Sequence, residues 1–507
     1  MLWSSCRKDF EFSPNTGQLE FSKDTIYLDT VFTNIGSSTY NLKVYNQSNE
    51  DIYIPTVRLG LGENSSYRLN IDGMPGKEFQ NIEILAKDSM YIFVETTIDI
   101  NNFPNPDGNY LYTDQIQFDS GSNQQNVELV TLVQDAIFIY PDQDNTTGII
   151  ETLTLNVGGE SIETDIQGRY LEPGELTFTN EKPYVIYGYA AVPNGETLTV
   201  EAGTRVHFHA NSGLLVAENA SIHVNGTMSS DPELMENEVI FEGDRLEPIF
   251  SDIPGQWGTI WLFEGSLDNI FNYATIKNAT VGILSDGNPD EVTPKLSITN
   301  SQLYNHSNFG VLGRNTSIVG ENLVFNNSGQ SSFAGTFGGK YNLTHCTIGN
   351  YWSNSFRQYP SLLINNFTVS EDNTVYITDL TEANFNNCII YGNDNIEFLV
   401  DEVQEDVNNP VEFDFKFTNC LIRFDSGSND FGSNFDFNDT DHYIGNIFNE
   451  APDFEMPYEN RMKIGENSAA IGLGDSSFAA QIPSDILGVN RTASPDSGAY
   501  QHVIFED

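Results

Sequence analysis

The chain has 507 residues, and because single hydrophobic cores stop growing at about 250–300 residues, we expect two or more domains or an elongated repeat. Hydrophobic residues make up 39% and aromatic residues 12%, which excludes a disordered acidic chain although the formal net charge is −50. With only 22 Lys and Arg, the charge also excludes nucleic acid as a partner, because phosphate binding requires clustered cations.

Residues 1–9 are similar to the end of a bacterial lipoprotein signal. Ser4 and Ser5 lead into Cys6, which would be the acylated cysteine. The positive and apolar regions that precede such a cysteine are missing, so the alternatives are a truncated start or a chance cysteine. No apolar run approaches the roughly 18–20 residues of a membrane-spanning helix. We therefore predict lipidation at Cys6, membrane attachment only through that lipid, and a location at the outer membrane or cell surface.

Residues 10–137 form short runs of alternating apolar and polar residues, for example at 52–57, 67–71 and 90–98. About seven such runs at regular spacing predict an immunoglobulin-like β-sandwich, which commonly serves as a spacer or binding platform. Residues 138–180 are rich in turn residues, and we predict a junction segment there.

Residues 181–507 carry an internal repeat of a small residue followed two positions later by an aliphatic one. The repeat begins at Ala274, Ser301, Asn322, Cys346, Cys388 and Cys420. Stacked rungs place equivalent residues above one another, so the repeat predicts a parallel β-helix with the small residues in one interior column. The alternative for the three cysteines is a redox or metal trio, but cysteine also suits such a column as a small apolar side chain.

Motifs at both ends of this region resemble a known family. They are the stretches 182–188, 201–206, 254–258, 485–491 and 495–500. These resemble segments of right-handed parallel β-helix surface lipoproteins of the Bacteroidetes, and residues 28–33 are similar to the module that precedes the helix in that group. The resemblance implies an all-β fold: an N-terminal immunoglobulin-like β-sandwich followed by a right-handed parallel β-helix.

A polysaccharide lyase needs a base and a cation near the substrate carboxylate. Between residues 183 and 450 the nine basic residues are scattered; they are Arg205, Arg245, Lys277, Lys295, Arg314, Lys340, Arg357, Lys416 and Arg423. This distribution argues against a lyase.

A glycoside hydrolase needs only two carboxylates. Asp439-Thr440-Asp441 is similar to the Asn-Thr-Asp of polygalacturonases, which are also β-helices, but no histidine lies between two glycines as it does in those enzymes. We interpret Asp436, Asp439 and Asp441 as a solvated acidic loop, and we expect no facing carboxylate pair with a protonated member in the deepest cleft.

Other candidate sites are weaker. His207 and His209 would project from one strand face and would need a third ligand to hold a metal, so we predict no metal site. We predict no cofactor, with calcium left open at the acidic loops 401–406 and 425–441. Four aromatic residues would bind sugar only if exposed; they are Trp257, Trp261, Tyr351 and Trp352.

The sequence therefore predicts a monomeric, surface-anchored and non-catalytic β-helix protein that binds an extracellular polysaccharide or a surface protein. It identifies no catalytic residue and no ligand-binding residue. The alternative is a polysaccharide-degrading enzyme on the same fold.

Overall fold

A computed structural model of the chain describes residues 11–104, 108–119, 121–289, 292–404 and 410–505. The chain divides into two compact units. The first comprises Met1–Ala136 and Arg245–Phe250, and the second comprises Ile137–Asp244 and Ser251–Asp507. Cys6, the predicted lipidation site, lies outside the described residues.

Eleven strands and four single-turn 3-10 helices form the described part of the first unit. The strands are β1 (Ser13–Pro14), β2 (Glu20–Phe21), β3 (Thr25–Phe32), β4 (Tyr40–Tyr45), β5 (Ile52–Leu59), β6 (Tyr67–Ile71), β7 (Met74–Gly76), β8 (Glu78–Ile84), β9 (Ser89–Thr96), β10 (Asn109–Phe118) and β11 (Gln125–Gln134). The 3-10 helices are Gly62–Asn64, Ile100–Asn102, Gly121–Asn123 and Pro248–Phe250.

These strands form two sheets around one core. One sheet has the order β1-β5-β10-β11-β3, with β8 also paired to β5, and the other has the order β2-β4-β9-β6-β7. Strands such as β10 alternate buried and exposed residues, and the buried ones meet in one cluster that includes Leu28, Ile54 and Tyr67. Two strand pairs, β1 with β5 and β3 with β11, are parallel. The immunoglobulin-like type of this sandwich stays a prediction.

The described part of the second unit contains strands β12 to β44, one short α-helix and three 3-10 helices. The strands are β12 (Ile137–Ile139), β13 (Thr152–Val157), β14 (Glu160–Tyr170), β15 (Thr177–Phe178), β16 (Tyr184–Ile186), β17 (Tyr189–Val192), β18 (Thr197–Glu201), β19 (Arg205–Phe208), β20 (Gly213–Val216), β21 (Ser221–Asn225), β22 (Val239–Gly243), β23 (Ile260–Leu262), β24 (Asn269–Asn272), β25 (Ala274–Lys277), β26 (Val281–Asp286), β27 (Leu296–Thr299), β28 (Gln302–His306), β29 (Phe309–Glu321), β30 (Val324–Ser328), β31 (Phe333–Thr344), β32 (Thr347–Asn350), β33 (Leu362–Asn365), β34 (Phe367–Val369), β35 (Val375–Ile377), β36 (Leu380–Asn386), β37 (Ile389–Gly392), β38 (Phe398–Asp401), β39 (Lys416–Thr418), β40 (Leu421–Ile422), β41 (Tyr443–Ile444), β42 (Ile447–Phe448), β43 (Phe454–Met456) and β44 (Arg461–Ile464). The helices are α1 (Ser476–Gln481) and the 3-10 turns Pro173–Glu175, Ser433–Phe435 and Pro457–Glu459.

Most of these strands form the three faces of a parallel β-helix. The first face has the order β12-β16-β19-β22-β25-β28-β30-β32-β37-β40-β42. The second runs β14-β17-β20-β23-β26-β29-β31-β33-β38, and the third runs β15-β18-β21-β24-β27-β29-β31-β36-β39-β41. Strands β29 and β31 belong to both because each continues through the corner between them. The right-handed sense of the coil stays a prediction, and it is the sense that parallel crossovers adopt in about 98% of cases.

The strand register confirms the predicted interior column. Thr275 pairs with Gln302, Thr347 pairs with Ile389, and Ile389 pairs with Leu421. These pairings align the residues immediately before them, which are fully buried: Ala274, Ser301, Cys346, Cys388 and Cys420. The backbone N–H of Cys388 donates to Sγ of Cys420 at 3.4 Å, as stacking of adjacent rungs requires. The cysteines therefore serve as interior packing residues.

The third rung of the predicted repeat was misaligned by one residue. Gln302 pairs with Val324, so Leu323 and not Asn322 occupies the column. Asn322 instead lies in the preceding turn with a φ of 54°. The same left-handed conformation recurs directly before the other small residues, at Tyr273, Asn300, His345, Asn387 and Asn419. Asparagine tolerates this conformation, which explains its recurrence at this corner.

Residues 138–180 are part of the β-helix and not a separate junction. Strand β12 pairs with β16, β14 pairs with β17, and β15 pairs with β18, all in parallel. Strand β13 instead pairs antiparallel with β14, so part of the turn-rich composition belongs to the hairpin turn at Gly158 and Gly159, and the rest to corners of the coil.

The C-terminal segment, residues 451–505, packs back along the outer surface of the first face. Met462, Ile486 and Tyr500 form a cluster with Val324 of β30. Ile464 and Ala470 form another with Ile389 and Leu421. The described residues include no helix with the length and apolar character that crossing a bilayer requires.

Candidate functional site

The second unit contains an acidic cleft between the first face of the β-helix and the C-terminal segment. The turn before β22 contributes Glu233 and Glu238 to its lining, and the β43–β44 hairpin contributes Glu455 and Glu459. Its volume is about 220 Å³. That is below the roughly 300–1,000 Å³ of sites for drug-sized ligands, so the cleft suits one small unit of a larger ligand.

Five carboxylates line this cleft. They are Glu233, Glu238, Asp252, Glu455 and Glu459. Among the described lining residues, positive charge comes from Arg461 and Lys463 alone, and Arg461 already pairs with Glu455 at 3.4 Å. The excess of negative charge disfavours a polyanionic ligand such as a uronate polymer.

Glu238 differs from the other carboxylates in its environment. Burial raises its pKa to about 7, and the nearby Glu236 adds to this, although Thr275 and Arg205 act in the opposite direction. The hydroxyl of Thr275 donates to its Oε2 at 3.3 Å. The backbone carbonyl of Glu238 accepts from Nη1 of Arg205 at 2.7 Å, which anchors the turn at the base of β22. A carboxyl group with this pKa is half protonated near neutrality and can donate a proton there.

A row of polar and ionisable side chains crosses the same face of the β-helix. Register places His207, Glu242, Lys277 and Tyr304 on successive rungs. Burial raises the pKa of Glu242, but the interactions with His207 and Lys277 lower it by more and leave the pKa below its ordinary value. Nζ of Lys277 lies 2.8 Å from Oε2 of Glu242. Burial raises the pKa of Tyr304 to about 12, so its phenol remains protonated at the cleft floor.

The histidines that the sequence singled out do not meet at one site. His207 is buried with its Nδ1 3.1 Å from the carbonyl oxygen of Gly243, whereas Nδ1 of His209 lies 2.7 Å from Oδ2 of Asp244. Across the described ranges, no group of three His, Cys, Asp or Glu side chains has the geometry to hold a metal ion.

The acidic loop and the tryptophans have structural contacts. Oδ1 of Asp436 accepts from the backbone N–H of Asn438, and Oδ1 of Asp439 accepts from that of Asp441, as in ordinary polar turns. Trp257 is fully buried and stacks on Phe208 with ring centroids 4.2 Å apart. Nε1 of Trp261 donates to Asp286 at 2.7 Å.

The remaining aromatic candidates also pack within the second unit. The ring of Tyr351 makes edge contacts with Phe454 and Tyr458, and Nε1 of Trp352 donates to the hydroxyl of Ser355 at 3.0 Å. None of the four aromatic residues lines the acidic cleft.

Glu238 bears on one sequence-based expectation. We expected no facing carboxylate pair with a protonated member in the deepest cleft, and Glu238 has the raised pKa that the protonated member of such a pair needs. Sequence reasoning missed it because Glu238 lies in an ordinary acidic run before β22. The cleft that Glu238 lines also includes residues more than two hundred positions away in the C-terminal segment, such as Tyr500.

No family model matches the chain, and no curated protein matches it. Among solved structures, the catalytic unit of a GH87 α-1,3-glucanase from Streptomyces thermodiastaticus is 9% identical, with 80% of this chain and 88% of that chain covered and a TM-score of 0.24. A family 123 glycoside hydrolase from Clostridium perfringens is 11% identical with a TM-score of 0.16, and the match covers 23% of this chain and about a quarter (25%) of that one. The E. coli chaperone DraB is 12% identical with a TM-score of 0.17, and the match covers 30% of this chain and 80% of that chain. Similarities this weak assign no family and no function.

Proposed function

We propose that the chain hydrolyses a neutral extracellular glycan at the acidic cleft. The observation that supports this is a cleft lined by five carboxyl groups, one of which, Glu238, has a pKa of about 7. Glycoside hydrolysis requires a pairing of a protonated and an ionised carboxyl group. This proposal replaces the non-catalytic function that the sequence favoured.

In the proposed reaction, Glu238 donates its proton to the glycosidic oxygen as the bond to the leaving sugar breaks. A second carboxylate acts on the opposite side, either by activating water or as the nucleophile. The candidates for that role are Asp252, Glu455 and Glu459, which also line the cleft. The negative lining favours a neutral glycan because it would repel a uronate polymer.

The experiment is to incubate the chain with neutral polysaccharides, including α- and β-glucans, mannan and xylan, and to measure new reducing ends. We expect Glu238→Gln to lower the rate by about 10²–10⁴-fold, the usual contribution of a general acid. Glu321→Gln is the matched control, because burial also raises the pKa of Glu321 but this residue does not line the cleft. The wild-type rate should fall as the pH rises through about 7, because Glu238 then loses the proton that it donates.

Two results would contradict the proposal. One is a wild-type chain that releases no reducing ends from any of these polysaccharides. The other is a Glu238→Gln variant as active as the Glu321→Gln control. A chain that binds these glycans without cleaving them would favour the binding function.

Three further assignments remain proposals that rest on the sequence. They are lipidation at Cys6 with display at the outer membrane or cell surface, the immunoglobulin-like type of the first unit, and the right-handed Bacteroidetes lipoprotein family. A monomer is the proposed oligomeric state, and calcium at the acidic loops is left open.

A further inference from the structure

A second cavity, of about 440 Å³, lies beside the first coils of the β-helix. We call it the neutral pocket; six of its lining residues are Tyr140, Gln143, Gln167, Tyr187, His209 and Asn211. Gln167 lies within β14 and the others follow β12, β16 and β19, so the β-helix positions them. None of them lines the acidic cleft.

One wall of the neutral pocket is aromatic. The rings of Tyr187 and His209 stack with centroids 4.3 Å apart, and Nδ1 of His209 lies 2.7 Å from Oδ2 of Asp244, which fixes the imidazole. Tyr140 is 59% exposed, while its carbonyl oxygen accepts from Nε of Arg169 at 3.0 Å. The backbone of Tyr140 is therefore held while its ring face remains available to a ligand.

Side-chain amides supply the polar groups of the neutral pocket. Gln167 and Asn211 are exposed, and within the part of the chain that the structure describes, their amides make no hydrogen bond to another residue. Nε2 of Gln143 donates to the carbonyl oxygen of Gly148 at 3.0 Å, which orients that amide. Each amide carries both a donor and an acceptor, which matches a hydroxyl group.

The charge of the neutral pocket is unusual for this chain. Among the described residues its lining includes no Asp, Glu, Lys or Arg, although the sequence contains 72 Asp and Glu. His209 is the one described lining residue that can carry a full positive charge, and it is already paired with Asp244, so the lining offers a charged ligand no uncommitted counter-charge. Aromatic faces together with uncharged amides instead suit a ligand with an apolar face and many hydroxyl groups.

We infer that the neutral pocket binds an uncharged glycosyl unit by stacking on Tyr140 and Tyr187, with hydrogen bonds from Gln167 and Asn211. This site is separate from the acidic cleft, and its binding does not require catalysis there. It would hold a neutral glycan on the β-helix whether or not the chain cleaves that glycan.

Calorimetric titration of the full chain tests this inference, with neutral gluco-, manno- and xylo-oligosaccharides and with oligogalacturonate as the charged probe. We expect a neutral oligosaccharide to bind, oligogalacturonate not to bind, and Tyr140→Ala or Gln167→Ala to weaken binding by about tenfold each. Both residues are exposed, so these variants should fold. Tyr376→Ala, which removes an equally exposed tyrosine (53%) on the β34–β35 hairpin, should bind as the wild type does.

Glu238→Gln separates this inference from the proposed hydrolysis, because this variant should lose cleavage and keep the affinity at the neutral pocket. Binding without cleavage by the wild type would overturn only the hydrolysis. If the wild type cleaves a glycan but Tyr140→Ala and Gln167→Ala leave its affinity for oligosaccharides unchanged, only the inference about the neutral pocket is overturned. Failure of every neutral oligosaccharide to bind at millimolar concentration, or preferential binding of oligogalacturonate, would also overturn it.

Discussion

At the scale of single residues, the second unit contains a buried ion pair whose two members depend on each other. Nη2 of Arg357 donates to Oε1 of Glu397 at 2.6 Å, and the side chains are only 2% and 0% exposed. Burial raises the pKa of Glu397 above its ordinary value even though Arg357 opposes this. Removing one partner would leave a buried charge without compensation, which costs much more than losing an exposed pair.

We therefore expect Arg357→Met to destabilise the second unit by about 3–5 kcal/mol, measured as a shift in its chemical unfolding transition. Adding Glu397→Gln to this variant should recover part of the loss, because the double variant buries no charge at this position. Arg461→Met is the control, since Arg461 pairs at the surface and should change stability by less than about 1 kcal/mol. Equal effects of Arg357→Met and Arg461→Met would contradict this explanation.

At the scale of the structural element, the corner before the interior column combines a backbone requirement with side-chain hydrogen bonds. Asn387 has a φ of 52°. Its Nδ2 donates to the carbonyl oxygen of Asp475 at 3.0 Å, and its Oδ1 accepts from the backbone N–H of Asp475 at 2.8 Å. This corner therefore both turns the coil and attaches the C-terminal segment to it.

The two contributions of Asn387 can be separated by substitution. Asn387→Ala should lose the hydrogen bonds and also strain the backbone, whereas Asn387→Gly should lose only the hydrogen bonds, because glycine adopts positive φ without a steric cost. We expect Asn387→Ala to be less stable than Asn387→Gly by about 1–2 kcal/mol in chemical unfolding. If the two variants unfold at the same denaturant concentration, the left-handed backbone is not what selects asparagine here.

At the scale of the whole molecule, the untested prediction is attachment to a membrane through Cys6. Two acyl groups on a lipoprotein cysteine anchor a protein stably, whereas one acyl group does not. The described residues include no helix that could span the membrane. Expressed with a complete lipoprotein signal, the chain should fractionate with the outer membrane, and Cys6→Ser should release it to the soluble fraction. Membrane association of Cys6→Ser equal to that of the parent chain would exclude lipidation as the anchor.

The amino-acid sequence by itself determined the all-β class, the parallel β-helix and its interior column. These follow from local rules, because side chains alternate with a period of two along a strand and equivalent residues of successive rungs stack. The alignment at Asn322 failed by one residue because the column residue of that rung is a leucine and not a small residue, and only the register of β28 with β30 identifies Leu323 as the stacked residue.

Only the tertiary structure decided the two candidate sites. The acidic cleft exists because the C-terminal segment packs back on the first face, which brings Glu455 and Tyr500 to the cleft that Glu238 lines. The pKa of Glu238 depends on that burial, and desolvation is a property of surroundings that a linear pattern does not contain. The neutral pocket likewise joins Tyr140 to His209 and Asn211 across successive coils. Residue types could be read from the sequence, but their convergence required the fold.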